Sequence, residues 1–182
     1  MLIREEQPAD IDHVRDLHLR AFGDHGVVVT ALLDDLRAIV TAGEGLSLVA
    51  EDGERIVGHV MFTRSRLDAP RRLVDVQVLS PLAVTPDRHR EGIGTRLVRH
   101  GLGVLAERGV PAVFLEGDPG YYRRLGFVPG GDLGFITPSP RVPDPCFLSI
   151  TLPAHEPWMT GTLVYAEAFW RHDAVGMRDP HA

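Results

Sequence analysis

The stretch Leu82–Leu97, LAVTPDRHREGIGTRL, constrains this chain more than any other. An alternating apolar run ends there in a glycine-bearing loop, and the loop opens directly into an amphipathic helical pattern. The loop proper, His89-Arg90-Glu91-Gly92-Ile93-Gly94, sets several consecutive backbone N–H groups at a helix start. Gly92 and Gly94 lack a Cβ, so a ligand can approach the main chain closely. The first N–H groups of a helix have no internal acceptor and sit at the positive end of its dipole. Strand, turn and helix must follow in that order here. The turn is then an anion site, most naturally for a phosphate or pyrophosphate. A turn whose glycines merely allow tight packing is the plainer alternative.

Three glycine motifs compete for this loop. A dinucleotide fingerprint needs a third glycine at position 97, which is Leu97, and an early strand that this chain lacks. A P-loop needs a lysine after its second glycine, and the chain contains no lysine at all. The third reading depends on a second segment, Gly117-Asp118-Pro119-Gly120-Tyr121-Tyr122-Arg123-Arg124-Leu125-Gly126-Phe127.

An x-x-Gly-x-Gly loop after a strand, followed by Tyr-Tyr-x-x-x-Gly-Phe, resembles the GNAT superfamily of acyl-CoA-dependent N-acetyltransferases. The spelling is most similar to its bacterial YhbS-like branch, with Pro-Leu-Ala-Val before the loop and Gly-Asp-Pro-x-Tyr-Tyr after it. Pro143-Asp144-Pro145-x-Phe147 and Gly161-Thr162-Leu163-x-Tyr165-x-x-Ala168-Phe169 carry the likeness toward the C-terminus. His89 departs from the family, which has Gln or Arg there. Backbone amides make most of the family's phosphate contacts, so the resemblance implies that His89 modulates affinity rather than abolishing it.

The resemblance implies an α/β fold, a mixed central sheet splayed at the strand around Pro81–Val84 and flanked by helices. It implies acetyl-CoA as cosubstrate and an amine as acceptor. Arg88, His89, Arg90, Glu91, Gly92, Ile93, Gly94 and Thr95 would then hold the cofactor's phosphates. Leu82, Ala83 and Val84 would offer a main-chain N–H to the thioester carbonyl, and Tyr121 joins the cofactor contacts. Tyr122, four residues before Gly126, is the implied general acid. A phenol's ordinary pKa near 10 lies above that of a thiol, so it can protonate a leaving thiolate at neutral pH. The alternative is that Tyr121 or Tyr122 only packs the helix.

Elsewhere the periodicity predicts a short strand at Leu2–Glu5, a helix bearing Ile11, Val14, Leu17 or His18, and Phe22, and a second helix bearing Val29, Leu32, Leu33, Leu36 and Val40. Leu46–Glu51 and Arg55–Arg66 flank Asp52-Gly53, a hairpin signal. Leu73–Val84 reads as a strand interrupted by Pro81, which cannot donate to a ladder and makes the strand bulge or splay. Gly92–Arg108 reads as a helix, Val110–Leu115 as a strand, and Pro119–Leu125 as a short helix ended by Gly126. Phe127–Pro129 starts another strand, Phe147–Leu152 is the last, and Leu163–His172 is helical. This order fits one domain over 1–172, with 173–182 as a loosely ordered tail.

An amine arrives charged, so a base is needed. Glu116 and Asp118 follow the apolar strand before the tyrosines, and Glu116 is the better candidate because Asp before Pro commonly caps a helix. His59 is a second candidate, more readily explained as a satisfied sheet histidine; a bridging water is a third. His13 and His18 are five apart, the wrong spacing for one helical face, and no metal site is expected. Cys146 reads as structural.

Composition limits the remaining classes. With 44% hydrophobic and 24% charged residues the chain is an ordinary globular protein. A net charge of −6 argues against a nucleic-acid partner, and no apolar run or leader points to a membrane. A single cysteine rules out an internal disulfide, so the cytoplasm is the expected location. A homodimer is compatible with the sequence, though no motif carries one. The runner-up function is a non-catalytic acyl-CoA-binding regulatory module.

Overall fold

The computed structural model describes residues 1–177. Their contacts cluster in two compact units, Met1–Thr63 with Leu79–Val104, and Arg64–Val78 with the described residues from Leu105 onward.

In the first unit, strands β1 (Leu2–Glu5), β2 (Gly45–Asp52) and β3 (Arg55–Asp68) form an antiparallel meander. β2 and β3 are joined at the predicted Asp52-Gly53 hairpin, with Asp52 opposite Arg55. Helices α1 (Ile11–Phe22) and α2 (Gly26–Thr41) bury Val14, Leu17, Leu32, Leu33 and Leu36 of the stripes read from the sequence, while Ile11, Val29 and Val40 are half-buried and Phe22, at the end of α1, is exposed. Strand β4 (Leu73–Val84) leads through Thr85, whose N–H donates to Val57 O at 3.0 Å, into the loop before helix α3 (Ile93–Glu107). Two glycines seat α3. A Cβ at Gly58 would lie 2.8 Å from Ile93 Cγ2, and one at Gly101 only 2.3 Å from the Phe62 ring. Side chains there would lift the helix, and with it the loop at its N-terminus.

In the second unit, the first half of β4 pairs in parallel with β5 (Ala112–Glu116) at Gln77↔Val113 and Val78↔Phe114. β5 pairs antiparallel with β8 (Phe147–Thr151), from Ala112↔Thr151 to Glu116↔Phe147, so the sheet is mixed. β6 (Val128–Pro129) joins β8, while β9 (Gly161–Val164) pairs with β7 (Phe135–Ile136) and with Arg66–Asp68 of β3. Phe114 packs its edge on Phe135 at 4.8 Å and its face near Phe147 at 5.9 Å. Helices α4 (Pro119–Tyr122) and α5 (Glu167–Arg171) complete the unit.

Three expectations change. The helix read as Gly92–Arg108 begins at Ile93, because Gly92 is left-handed at φ 77°. Phe147–Thr151 is not the last strand: Gly161–Val164 is extended, and the helix expected from Leu163 starts at Glu167. Leu163 is buried by strand pairing rather than by a helical face. Through Met177, the tail expected to be loose is bonded to the fold. Val175 is fully buried and the Gly176 N–H donates to Glu116. The rest of that tail, 178–182, lies outside the described residues.

Candidate active site

In the first unit the loop after β4 makes a turn at Pro86–Arg88, extends at His89, and is left-handed at Arg90 (φ 67°) and again at Gly92. The Arg96 N–H donates to Gly92 O at 3.0 Å, which is the first helical bond of α3. The N–H groups of Ile93, Gly94 and Thr95 therefore have no intrahelical acceptor and point out of the helix start. Gly92 is exposed, and a Cβ built on it meets nothing within 4 Å, so the approach to these donors is open. This is the anion cradle anticipated from the sequence.

The side chains around it divide into two sets. Arg88 is occupied: Nε donates to Glu91 at 2.6 Å and Nη1 to Asp52 at 2.9 Å. His89 donates through Nε2 to Val84 O at 3.0 Å, tying the loop back to the end of β4. Arg90 and Arg96 are exposed and make no hydrogen bond or ion pair among the described residues, so their guanidiniums remain available to an anion. Leu82 and Val84 are half-buried and Ala83 is buried, on the last residues of β4.

The first unit also contains a buried polar chain. Ser47 Oγ donates to Glu6 Oε2 at 2.6 Å, so it accepts from His59 Nε2–H at 2.8 Å. His59 Nδ1 then accepts from His18 Nε2–H, also at 2.8 Å, and Arg37 closes the far end on Glu6 at 2.7 Å. His59, the second base candidate, is thus satisfied at both nitrogens and unexposed. Burial pushes His59 down and His18 down to about 2, so both rings stay neutral. Burial alone would raise Glu6, but His59 at 3.7 Å and the bonds from Arg37 and Ser47 outweigh that and hold it at about 2.

These groups set an acid limit on stability. Between pH 2 and the unfolded His value of 6.5 the unfolded chain binds protons that folded His18 refuses, so stability falls as pH drops. Glu6 adds a loss of the same sign below its unfolded value of 4.5. Thermal melts from pH 7.5 to 4 are expected to show Tm falling from about pH 6.5 and more steeply below about 4.5. A flat profile down to pH 5 would contradict the role given to the histidines.

In the second unit, Asp118 caps α4: its Oδ1 accepts from Gly120 N–H at 2.8 Å. That is a structural post. The turn after α4 closes on Gly126 at φ 93°. Tyr122 is half-buried, its ring set against Gly117, where a Cβ would lie 2.6 Å from Cε2, and edge-on to Phe127 at 5.6 Å. Tyr121 stands edge-on to it at 4.9 Å. The Tyr122 hydroxyl makes no hydrogen bond among the described residues. Burial, and then Tyr121, push its pKa well above the ordinary phenol value, so it stays a proton donor.

Glu116 accepts from the Gly176 N–H at 2.9 Å, and Tyr165 and Arg141 face the same carboxyl. Burial raises its pKa; the Gly176 bond, Tyr165 and Arg141 oppose that without cancelling it. Sequence reasoning missed all three neighbours. Tyr165 stands in a quoted motif, but nothing in its spacing points to Glu116. Cys146 is half-buried beside this strand, and its carbonyl accepts from Gly117 N–H. Among the described residues no cluster of three or more His, Cys, Asp or Glu side chains could hold a metal, and no helix is long and apolar enough to cross a membrane.

Residues 2–130 match the family described as acetyltransferase (GNAT) domain. The chain belongs to the GNAT acetyltransferase family. This GNAT chain is 34% identical over 165 residues to the uncharacterized N-acetyltransferase YjhQ of Escherichia coli (strain K12), covering 87% of itself and 88% of that protein. It is similar to the GNAT family N-acetyltransferase YhbS from Escherichia coli, solved in complex with CoA: 30% identity, TM-score 0.82, and 97% and 95% of the two chains covered. A GNAT family acetyltransferase from Brucella melitensis, solved with acetyl-CoA, matches at 30% identity and TM-score 0.73, covering 92% and 97%. The GNAT assignment agrees with the mixed sheet, its flanking helices and the glycine loop.

Proposed function

We propose that this chain transfers an acetyl group from acetyl-CoA to a primary amine by direct attack within a ternary complex. The observation that carries the reading is the open helix start at Gly92–Thr95, where three N–H groups lack acceptors and two free arginines flank them. That arrangement suits a pyrophosphate, and the relatives solved with CoA and acetyl-CoA support the same ligand. Ile93, Gly94 and Thr95 supply backbone donors, Arg90 and Arg96 supply charge, and Arg88 and His89 hold the loop's shape. Leu82–Val84 lie beyond the last β4–β5 rung at Val78, and offer main-chain N–H to the thioester oxygen as negative charge develops.

The protons balance as follows. Glu116 takes one proton from the ammonium, freeing the nitrogen lone pair. The N–C bond forms, the C–S bond breaks, and Tyr122 gives its proton to the departing thiolate. The tyrosinate regains a proton from the acetylated nitrogen, and Glu116 releases its proton to solvent. A carboxyl raised by burial is a better base than an exposed one, and a phenol raised by burial keeps its proton until a thiolate develops.

Calorimetric titration with acetyl-CoA, CoA, ATP and NAD, followed by thiol release with a panel of amines, tests this directly. Binding selective for acetyl-CoA and CoA, with amine-dependent thiol release, is expected. Binding without release for any amine would favour the non-catalytic module. Absence of binding to any acyl-CoA would remove both readings.

A further inference from the structure

Glu116 ends β5, and three distant stretches of the second unit close on its carboxylate: Tyr165 after β9, Arg141 in the loop before β8, and the Asp173–Met177 segment. One acceptor and one donor in this cluster remain under-bonded. Among the described residues Glu116 Oε1 and Arg141 Nη1 are both buried without a well-formed hydrogen bond; the Tyr165 hydroxyl faces the Glu116 carboxyl, and Arg141 Nη1 is ion-paired with Asp173 at 3.6 Å. A buried polar atom without a partner is costly to keep, and persists where a ligand meets it.

Backbone bonds tie the segment covering the pair to the fold. The Met177 N–H donates to Arg141 O at 3.2 Å and the Ala174 N–H to Phe169 O at 2.8 Å. Gly176 is left-handed at φ 63°, and a Cβ there would lie 2.6 Å from the Arg141 carbonyl. Only glycine lets the chain pass this close and deliver its N–H to Glu116 Oε2. A backbone N–H thus stands on Glu116 in the way an amine N–H would.

An under-bonded carboxylate oxygen beside an under-bonded guanidinium nitrogen is the complement of a zwitterion. Arginine's fixed charge and planar donors suit a carboxylate, while the glutamate suits an ammonium. We infer that Glu116 and Arg141 together select as acceptor a free α-amino acid or a similarly short amino-carboxylate, which displaces Gly176 from Glu116 on entering. This rests on the acetyl-transfer reading above. It narrows the acceptor from amines in general to amines with a carboxylate close by.

The test compares free amino acids with their carboxamides in the thiol-release assay. The amide's amine is less basic, so more of it is neutral, and chemistry alone favours the amide. The wild-type protein is expected to reverse that, with kcat/KM for the acids about 10-fold or more above the amides. Arg141→Gln should erase the ratio while still acetylating the amides, and Arg141→Lys should restore part of it. Amides equal to or better than acids in the wild type, or an unchanged ratio in Arg141→Gln, would overturn the inference. If Arg141→Gln does not fold, the wild-type ratio decides alone. Failure of the acetyl-transfer reading looks different: no amine of either kind releases thiol, and the acceptor inference falls with it.

Discussion

Gly92→Val is expected to weaken acetyl-CoA binding by about 10- to 150-fold, the loss of one charge-assisted hydrogen bond worth about 1.5–3 kcal/mol. The position is left-handed, and its Cβ would project into open space rather than into the protein. The folded chain therefore meets no clash, and the cost to folding is a backbone cost of about 1–2 kcal/mol. The side chain instead obstructs the approach to the Ile93, Gly94 and Thr95 N–H groups. Gly92→Asn separates the two effects, since asparagine tolerates a left-handed backbone but still carries a Cβ. It should melt close to the wild type and bind acetyl-CoA poorly. Equal affinity in all three proteins, by calorimetry, would show that the cofactor's phosphates lie elsewhere.

Tyr122→Phe is the second large effect. Removing a general acid costs about 10²- to 10⁴-fold in rate, so kcat should fall by at least about 100-fold. Acetyl-CoA affinity and Tm should hardly move. The ring keeps its seat against Gly117 and Phe127, and the hydroxyl has no protein partner to strand. Tyr121→Phe is the control and should retain most activity. A Tyr122→Phe protein with wild-type turnover would take this phenol out of the mechanism and leave thiolate protonation to water.

The features legible in the sequence are those set within a few residues. Asp52-Gly53 makes a hairpin because glycine accepts φ 66° there. Asp118 caps α4 through an oxygen two residues from its donor, and Gly126 ends the following turn. The apolar spacing of α1 and α2 predicts Val14, Leu17, Leu32, Leu33 and Leu36 as buried, since a helical period is a local property, and fails at Phe22, which ends α1 exposed. Gly161–Val164 was misread for the same reason: four residues do not separate a strand from the start of a helix, and pairing with Arg66–Asp68 settles it.

By itself the sequence determined the glycine loop opening α3, the tyrosine pair on its capped turn, and the family these imply. Only the tertiary structure decided how the polar groups were used. It joined His18 to His59 across 41 residues, and burial keeps both rings neutral. It spent Arg88 on Asp52, 36 residues away, and left Arg90 and Arg96 free. It brought Gly176 across 60 residues onto Glu116 and placed Arg141 near enough to act on that carboxyl. Backbone conformation is written in neighbouring residues, whereas desolvation and charge pairing depend on whatever the fold brings alongside.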